Sequence, residues 1–451
     1  MNRTKPHKIL NYEVRWKNFR CFRDTGWLTI RPLTILIGPN NSGKTSVIAP
    51  LLLLTQTILC RDRNTALVTR GPLIGAGTFK DIVFNHETDL DVYFGIRFHT
   101  HDQDRSLKKV GEYPPGVIEL TFAANETPQT CVLKSYAVQD IFKRPFLKRT
   151  RLSSGNYSLS GMPKLQGAER RKILDSHPIN FLFTPSKTLS QFQIGAKPDK
   201  IQNIRFSEEF SLYLSIISFV FDKLFSIFNN LIYIGPLRER PKRFYEVLGE
   251  ALESVGPTGE RAPNLLRVHY KKFRQKLNHW VRTFEMGQEL SFKDLSDDLF
   301  EINFKSKFSK SKTNIADAGF GASQVLPLIT QAIAAAPYSL TLAEQPEIHL
   351  NPKLQCALAD LFVEMATTKH RLIVETHSEH LLLRLRRLVA SGKISHDDVA
   401  IYFVEREGGQ STIRHVPIQK NGHIELADWP TGFFGDTLRE SLALAAAQAS
   451  K

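Results

Sequence analysis

The chain opens with short apolar stretches separated by polar turns. EVRWKNFR (13–20), WLTI (27–30) and LTILIG (33–38) read as strands, and TSVIAPLLLLTQTIL (45–59) is long enough to be an apolar-faced helix. From about Val110 the pattern loosens, and Ser207–Phe228 reads as helical. Alternation returns at LIYIGPLRERP (231–241). The last third predicts a helix from Ser323, strand YSLTLAE (338–344), a helix from Pro352, strand HRLIVET (370–376), a helix from Glu379 and strand VAIYFVE (399–405). Strands alternating with helices predict an α/β fold, a mixed or parallel sheet flanked by helices. The expected organisation is one domain in two pieces, 1–109 and 231–451, separated by a largely helical, basic insertion at 110–230. No internal repeat or sustained heptad register is present, which argues against a long coiled-coil arm.

Composition changes this picture in one respect. An apolar share of 42% and a charged share of 23% are ordinary for a folded chain, but 60 Lys and Arg against 45 Asp and Glu leave a net charge of +15. A polyanionic partner such as DNA is therefore expected. Cys21, Cys60, Cys131 and Cys356 stand apart without a CxxC pair, which suggests a reducing cytoplasm. The first residues lack the apolar core of a secretory signal, and Leu212–Phe228 is short for a membrane span and carries Asp222 and Lys223.

The strongest chemical signal is GPNNSGKT, Gly38 to Thr45, lying after a strand and before a helix. Gly38 and Gly43 let such a loop curl so that the backbone N–H groups of Asn40, Asn41, Ser42 and the helix start at Ser46 face the phosphates of ATP. Lys44 would meet the outer phosphates, and the Thr45 hydroxyl would hold Mg²⁺. LTLAE ends on Glu344, a second candidate for the metal, with a capping acid before Pro346 as the alternative. GFGASQ (319–324) opens a helix with two glycines and a Ser-Gln pair, and ETHSEH places His377 just after a strand, where an imidazole can meet a γ-phosphate.

The order GPNNSGKT, GFGASQ, AEQPEIHLNP, ETHSEH resembles the ABC-type P-loop ATPase heads of the SMC, RecF and OLD grouping. It is most similar to compact prokaryotic AAA family ATPases of defence loci, such as the Septu type; GPLRERPKRFYE and DWPTGFF add to the likeness. The resemblance implies that Gly38, Gly43, Lys44 and Thr45 form the Walker A loop, Glu344 is the Walker B acid, and Gly321, Ser323 and Gln324 are the signature that reaches a partner subunit's nucleotide. It places Asn351 at the D-loop and His377 at the switch position. It further implies a homodimer or higher even oligomer with ATP sandwiched between heads, and a separate nuclease-type effector in antiviral defence.

Departures from that pattern matter as much. Gln345 stands where the general base is usual, and a neutral amide orients water without accepting its proton. Glu347 on the same turn is an alternative base, or else a solvated turn residue or salt-bridge partner. No glutamine occupies the Q-loop: Gln56 lies in the Walker A helix, and FKDIVF (79–84) has none. Slow ATP hydrolysis is the expectation, against two alternatives, a non-catalytic ATP-dependent scaffold and a RecF-like DNA-repair ATPase. A His377–His380 metal pair lacks a third ligand, and Glu405 lacks the DxD that a TOPRIM nuclease needs. Arg238 and Arg240 read as solvated loop arginines, or as contacts to phosphate or the dimer partner. Basic runs with Lys143, Arg144, Lys148, Arg149 and Arg151, and with Lys271, Lys272, Arg274 and Lys276, are candidate nucleic-acid faces.

Overall fold

The computed structural model describes residues 12–60, 65–98, 115–125, 130–140, 145–161, 220, 222–249, 252–306 and 311–425, together with 427, 444, 447 and 448. The chain forms two compact units, each assembled from non-contiguous segments.

The first unit takes Met1–Ile30, Ser46–Asn230 and Glu407–Thr412. Its eight-stranded sheet runs Phe22–Asp24, Tyr12–Phe19, Val92–Phe98, Pro115–Ala124, Cys131–Asp140, Pro145–Arg151, Tyr157–Ser160, with Leu28–Ile30 also paired to Tyr12–Phe19. Every pairing is antiparallel. Trp16, Phe19, Phe94 and Phe122 are fully buried along one face, with the Trp16 and Phe94 rings edge to face at 5.4 Å. The Trp16 indole N–H would be costly to bury alone and donates to the Val47 carbonyl (2.8 Å), pinning the helix that follows the phosphate loop.

The insertion departs from expectation. Over 115–125, 130–140 and 145–161 it is built of strands rather than helices, because Ile118, Leu120 and Phe122 are buried while Glu119 and Thr121 between them are not, the period of a half-buried strand. Among the described residues of the insertion, helix appears at 220 and over 222–228. The ERRKIL cluster, most of Ser207–Phe228, and all of DWPTGFF lie outside the described residues, as do Lys143 and Arg144. Arg149 does not face solvent: it is 2% exposed and its guanidinium lies 3.7 Å from the Tyr157 ring centroid.

The second unit takes Arg31–Thr45, Leu231–Arg406 and Ile413–Lys451. Its main sheet runs Leu231–Ile234, Leu340–Glu344, Arg371–Glu375, Leu33–Ile37, Val399–Glu407, Gln410–His415, and the first five are mutually parallel. Leu33–Ile37, Leu340–Glu344 and Arg371–Glu375 are buried at every residue, which is why they read as continuous apolar runs rather than alternating ones. Helices Phe320–Ala334, Pro352–Thr367 and Glu379–Ala390 contribute to the same core. Asn351 accepts a bond from Leu354 N (3.0 Å) and Ser378 one from Leu381 N (3.0 Å), so both are helix N-caps.

A smaller antiparallel sheet, with Leu299–Lys305 at its centre and Glu289–Asp294 paired to it, packs Leu290, Phe300 and Ile302 into a core shared with Leu277, Trp280 and Val281 of helix Ala262–Thr283. The basic face expected on that helix is partly neutralised within the unit. Arg274 pairs with Glu289, and Lys276 with Glu364 at 2.6 Å, whereas Lys271 and Lys272 are exposed.

Candidate functional site

All the groups that converge here belong to the second unit. Leu33–Ile37 delivers the chain into a loop that turns back at Gly38, where φ is +150° and a β-carbon would stand 2.1 Å from the Val404 carbonyl oxygen. Only glycine fits that approach. Asn41 (φ +59°) and Gly43 (φ +103°) complete the curl, and Pro39, Asn40 and Asn41 are open to solvent. Ser42 is buried, and Ser46 continues the helix that starts at Lys44. Lys44 is 4% exposed and its ammonium donates to the carbonyls of Gly38 (3.0 Å) and Pro39 (2.7 Å). Burial pulls its pKa below the ordinary value, while Glu375 and Glu347 act in the opposite direction.

The parallel register sets Glu344 directly opposite Glu375, the last residues of adjacent strands. Tyr233, on the next strand, donates its hydroxyl to Glu344 Oε1 (2.9 Å). The Thr45 hydroxyl donates to Glu375 Oε2 (3.0 Å). After Glu344 the chain makes a strained turn, with Gln345 (φ +42°) and His349 (φ +64°) both left-handed. Three bonds hold it: Gln345 N–H to the Glu375 carbonyl (2.8 Å), Arg238 Nη2–H to the Glu344 carbonyl (2.9 Å), and His377 N–H to Glu347 Oε1 (2.6 Å).

Electrostatics sort these groups. Burial, then the neighbouring Glu344, pushes Glu375 up to about 7, against the pull of Lys44 and the Thr45 hydroxyl. Burial also raises Glu347, although the His377 N–H, the Thr376 hydroxyl and Arg238 favour its anion. Arg238 is 6% exposed and is drawn down to about 10 by burial, with Glu347 and Glu344 opposing. His377 is half-buried; burial and then the charge of Lys44 hold its pKa below the ordinary value, so its imidazole is neutral at pH 7. Within one cluster the chain therefore places three buried carboxylates, two buried cations and a neutral imidazole.

These donors suit a nucleotide and its metal. A loop of backbone amides too tight for a β-carbon is a shape that fits phosphate oxygens, and a hydroxyl and a carboxylate such as those of Thr45 and Glu344 are hard oxygen groups of the kind Mg²⁺ prefers. Glu347 is no solvated turn residue, at 9% exposure. Arg238 belongs to the cluster, whereas Arg240 is exposed.

Elsewhere, Gly321 lies close to the turn: a β-carbon on it would meet the His349 carbonyl oxygen at 3.4 Å. Gln324 is 2% exposed, with its side chain turned inward in this chain, and the Ser323 side chain lies outside the described residues. His380 is exposed, apart from the half-buried His377. Tyr233 and Glu375 were not singled out from sequence, although Glu375 sits inside the ETHSEH stretch.

The family of AAA ATPase domains matches residues 12–235 and 239–382, and a family described as a protein of unknown function (DUF3696) matches 394–444. No curated protein matches the chain. Among solved structures, an SMC head bound to the C-terminal winged-helix domain of ScpA is 14% identical, covering 91% of this chain and 98% of its own, with a TM-score of 0.40. The Pyrococcus furiosus SMC head with an extended coiled coil, bound to the C-terminal domain of ScpA, is 13% identical over 90% of this chain and 96% of its own, with a TM-score of 0.40. The Thermotoga maritima SMC head is 11% identical over 91% of this chain and all of its own, with a TM-score of 0.38.

Proposed function

Since the chain belongs to the family of AAA ATPase domains, we propose that it binds ATP on the loop Gly38–Thr45 and hydrolyses it slowly, with Glu347 as the proton acceptor. Mg²⁺, held by Thr45 and Glu344, supplies charge neutralisation at the phosphates when bound. The loop amides and Lys44 bind the phosphate chain, for which the Lys44 ammonium exchanges its contacts with Gly38 and Pro39. Neutral His377 donates an N–H to the γ-phosphate. Gln345 orients the attacking water, whose oxygen bonds to the γ-phosphorus as the bond to the β–γ bridging oxygen breaks. ADP leaves, and the water's proton passes to Glu347.

The observation that carries this reading is the environment of Glu347. It is buried, it is fixed by the His377 N–H at 2.6 Å, and burial raises its proton affinity, which is what a base beside a neutral Gln345 requires. The test is a steady-state phosphate-release assay of wild type, Glu347→Gln and Gln345→Glu, each with and without DNA. Glu347→Gln should slow turnover by about 10²–10⁴-fold, and Gln345→Glu should raise it. An unchanged rate in Glu347→Gln removes Glu347 as the base.

The same reading extends to assembly. Two heads close around two nucleotides as an ABC-type dimer, each offering Gly321 and Ser323 at the start of helix Phe320–Ala334 to its partner's γ-phosphate, while the inward-turned Gln324 stays within its own chain. The ATP-bound dimer regulates a separate nuclease-type effector in antiviral defence, with DNA on the basic faces. Support comes from the order of the motifs along the chain and from the net charge of +15. Gln345 also favours a second reading, a scaffold in which ATP only holds the dimer together; absence of phosphate release under every DNA condition selects it.

A further inference from the structure

Gln56 has no freedom to serve a metal. It is 3% exposed, its amide nitrogen donates to the carbonyls of Val68 (2.6 Å) and Ile74 (3.2 Å), and its Oε1 accepts from Ile74 N (3.2 Å). It braces the loop after its own helix.

A different oxygen ligand stands beside Thr45. Parallel pairing aligns Glu344 with Glu375, on strands that run about 4.8 Å apart, and the two are 5% and 4% exposed. Two buried carboxylates held this close repel, and a cation shared between them relieves the repulsion. The neighbouring cations act on the pair without bridging it: the Lys44 ammonium donates to loop carbonyls while its charge favours the Glu375 anion, and Arg238 Nη2 donates to the Glu344 backbone carbonyl. Thr45 directs its one hydroxyl proton to Glu375 Oε2 at 3.0 Å, which leaves both oxygen lone pairs for a metal. The Thr45 hydroxyl thus meets the Glu375 carboxylate where a helix starts and a strand ends, with Glu344 its register partner on the adjacent strand, an all-oxygen set of the kind a hard divalent cation selects.

Resting on the ATP-binding reading, we propose that Glu375 is part of the divalent-cation site of the bound nucleotide: its carboxylate supplies the third protein oxygen group and orients the Thr45 lone pairs. Glu375 thereby stands in for the glutamine that the sequence lacks at the Q-loop.

The experiment is equilibrium titration of the full chain with a fluorescent ATP analogue, in EDTA and in excess Mg²⁺ or Mn²⁺, for wild type, Glu375→Gln and Glu375→Asp. Wild type should tighten by about tenfold or more on adding either metal. Glu375→Gln, which keeps an acceptor for Thr45, should bind at least as tightly as wild type in EDTA but lose most of the metal-dependent gain, and Glu375→Asp should recover part of it. Weaker binding of Glu375→Gln in EDTA assigns Glu375 a purely structural role and overturns the proposal, as does a metal-dependent gain equal to that of wild type. Failure of wild type to bind in either condition overturns the ATP reading itself, and this inference with it.

Discussion

Replacing Glu375 by Gln should stabilise the metal-free protein at alkaline pH. The side chain is 4% exposed, and its pKa in the folded protein is pushed to about 7 from an ordinary 4.5, first by burial and then by Glu344. Between those two values the folded state holds a proton that the unfolded chain has released, so stability falls as pH rises through the window. The penalty is absent below about pH 4, fully developed above about pH 8, and on the order of 3 kcal/mol at about 1.4 kcal/mol per pH unit. Glutamine removes the charge and keeps a carbonyl for the Thr45 hydroxyl. Thermal unfolding in EDTA at pH 5 and pH 8 reads the difference, at roughly 2–4 °C per kcal/mol for a unit of about two hundred residues. The variant should melt several degrees above wild type at pH 8, with most of the gap closed at pH 5. Equal melting temperatures at pH 8, or a gap that does not change with pH, would refute the reasoning.

Gly38→Ala should abolish binding of a fluorescent ATP analogue while leaving a folded chain by circular dichroism, because the added carbon would collide with the Val404 carbonyl at 2.1 Å unless the loop shifts. Retained affinity would show that the loop has another conformation. Arg238→Met removes a cation that favours the Glu347 anion, so the acid limb of the ATPase pH profile should move upward; an unmoved limb separates Arg238 from the base.

What the sequence disclosed depends on how local each feature is. The phosphate loop was legible because strand, glycine turn and helix are consecutive, and Glu344 because an apolar run led directly to it. Glu375 ended a similar run, in HRLIVET, but its importance comes from the parallel register that sets it against Glu344 and from Thr45, 330 residues earlier in the chain. Nothing local marks such a pairing. Arg238 read as an ordinary loop arginine because its burial depends on the turn after Glu344. The strands of the insertion were obscured by their basic and polar faces, although PGVIELTFAA carries a period of two in its buried positions. Within the basic clusters, spacing along the chain does not reveal that Arg149, Arg274 and Lys276 are engaged by ring or carboxylate partners inside their own units.

The most direct test of the account is phosphate release from ATP and Mg²⁺ by the purified full chain and by Lys44→Ala, with and without DNA. The account predicts slow, saturable release by wild type, well below the ~10 s⁻¹ of a typical enzyme, and none above background for Lys44→Ala. Release that Lys44→Ala matches would contradict it, as would a wild-type chain that neither binds nor hydrolyses ATP under any of these conditions.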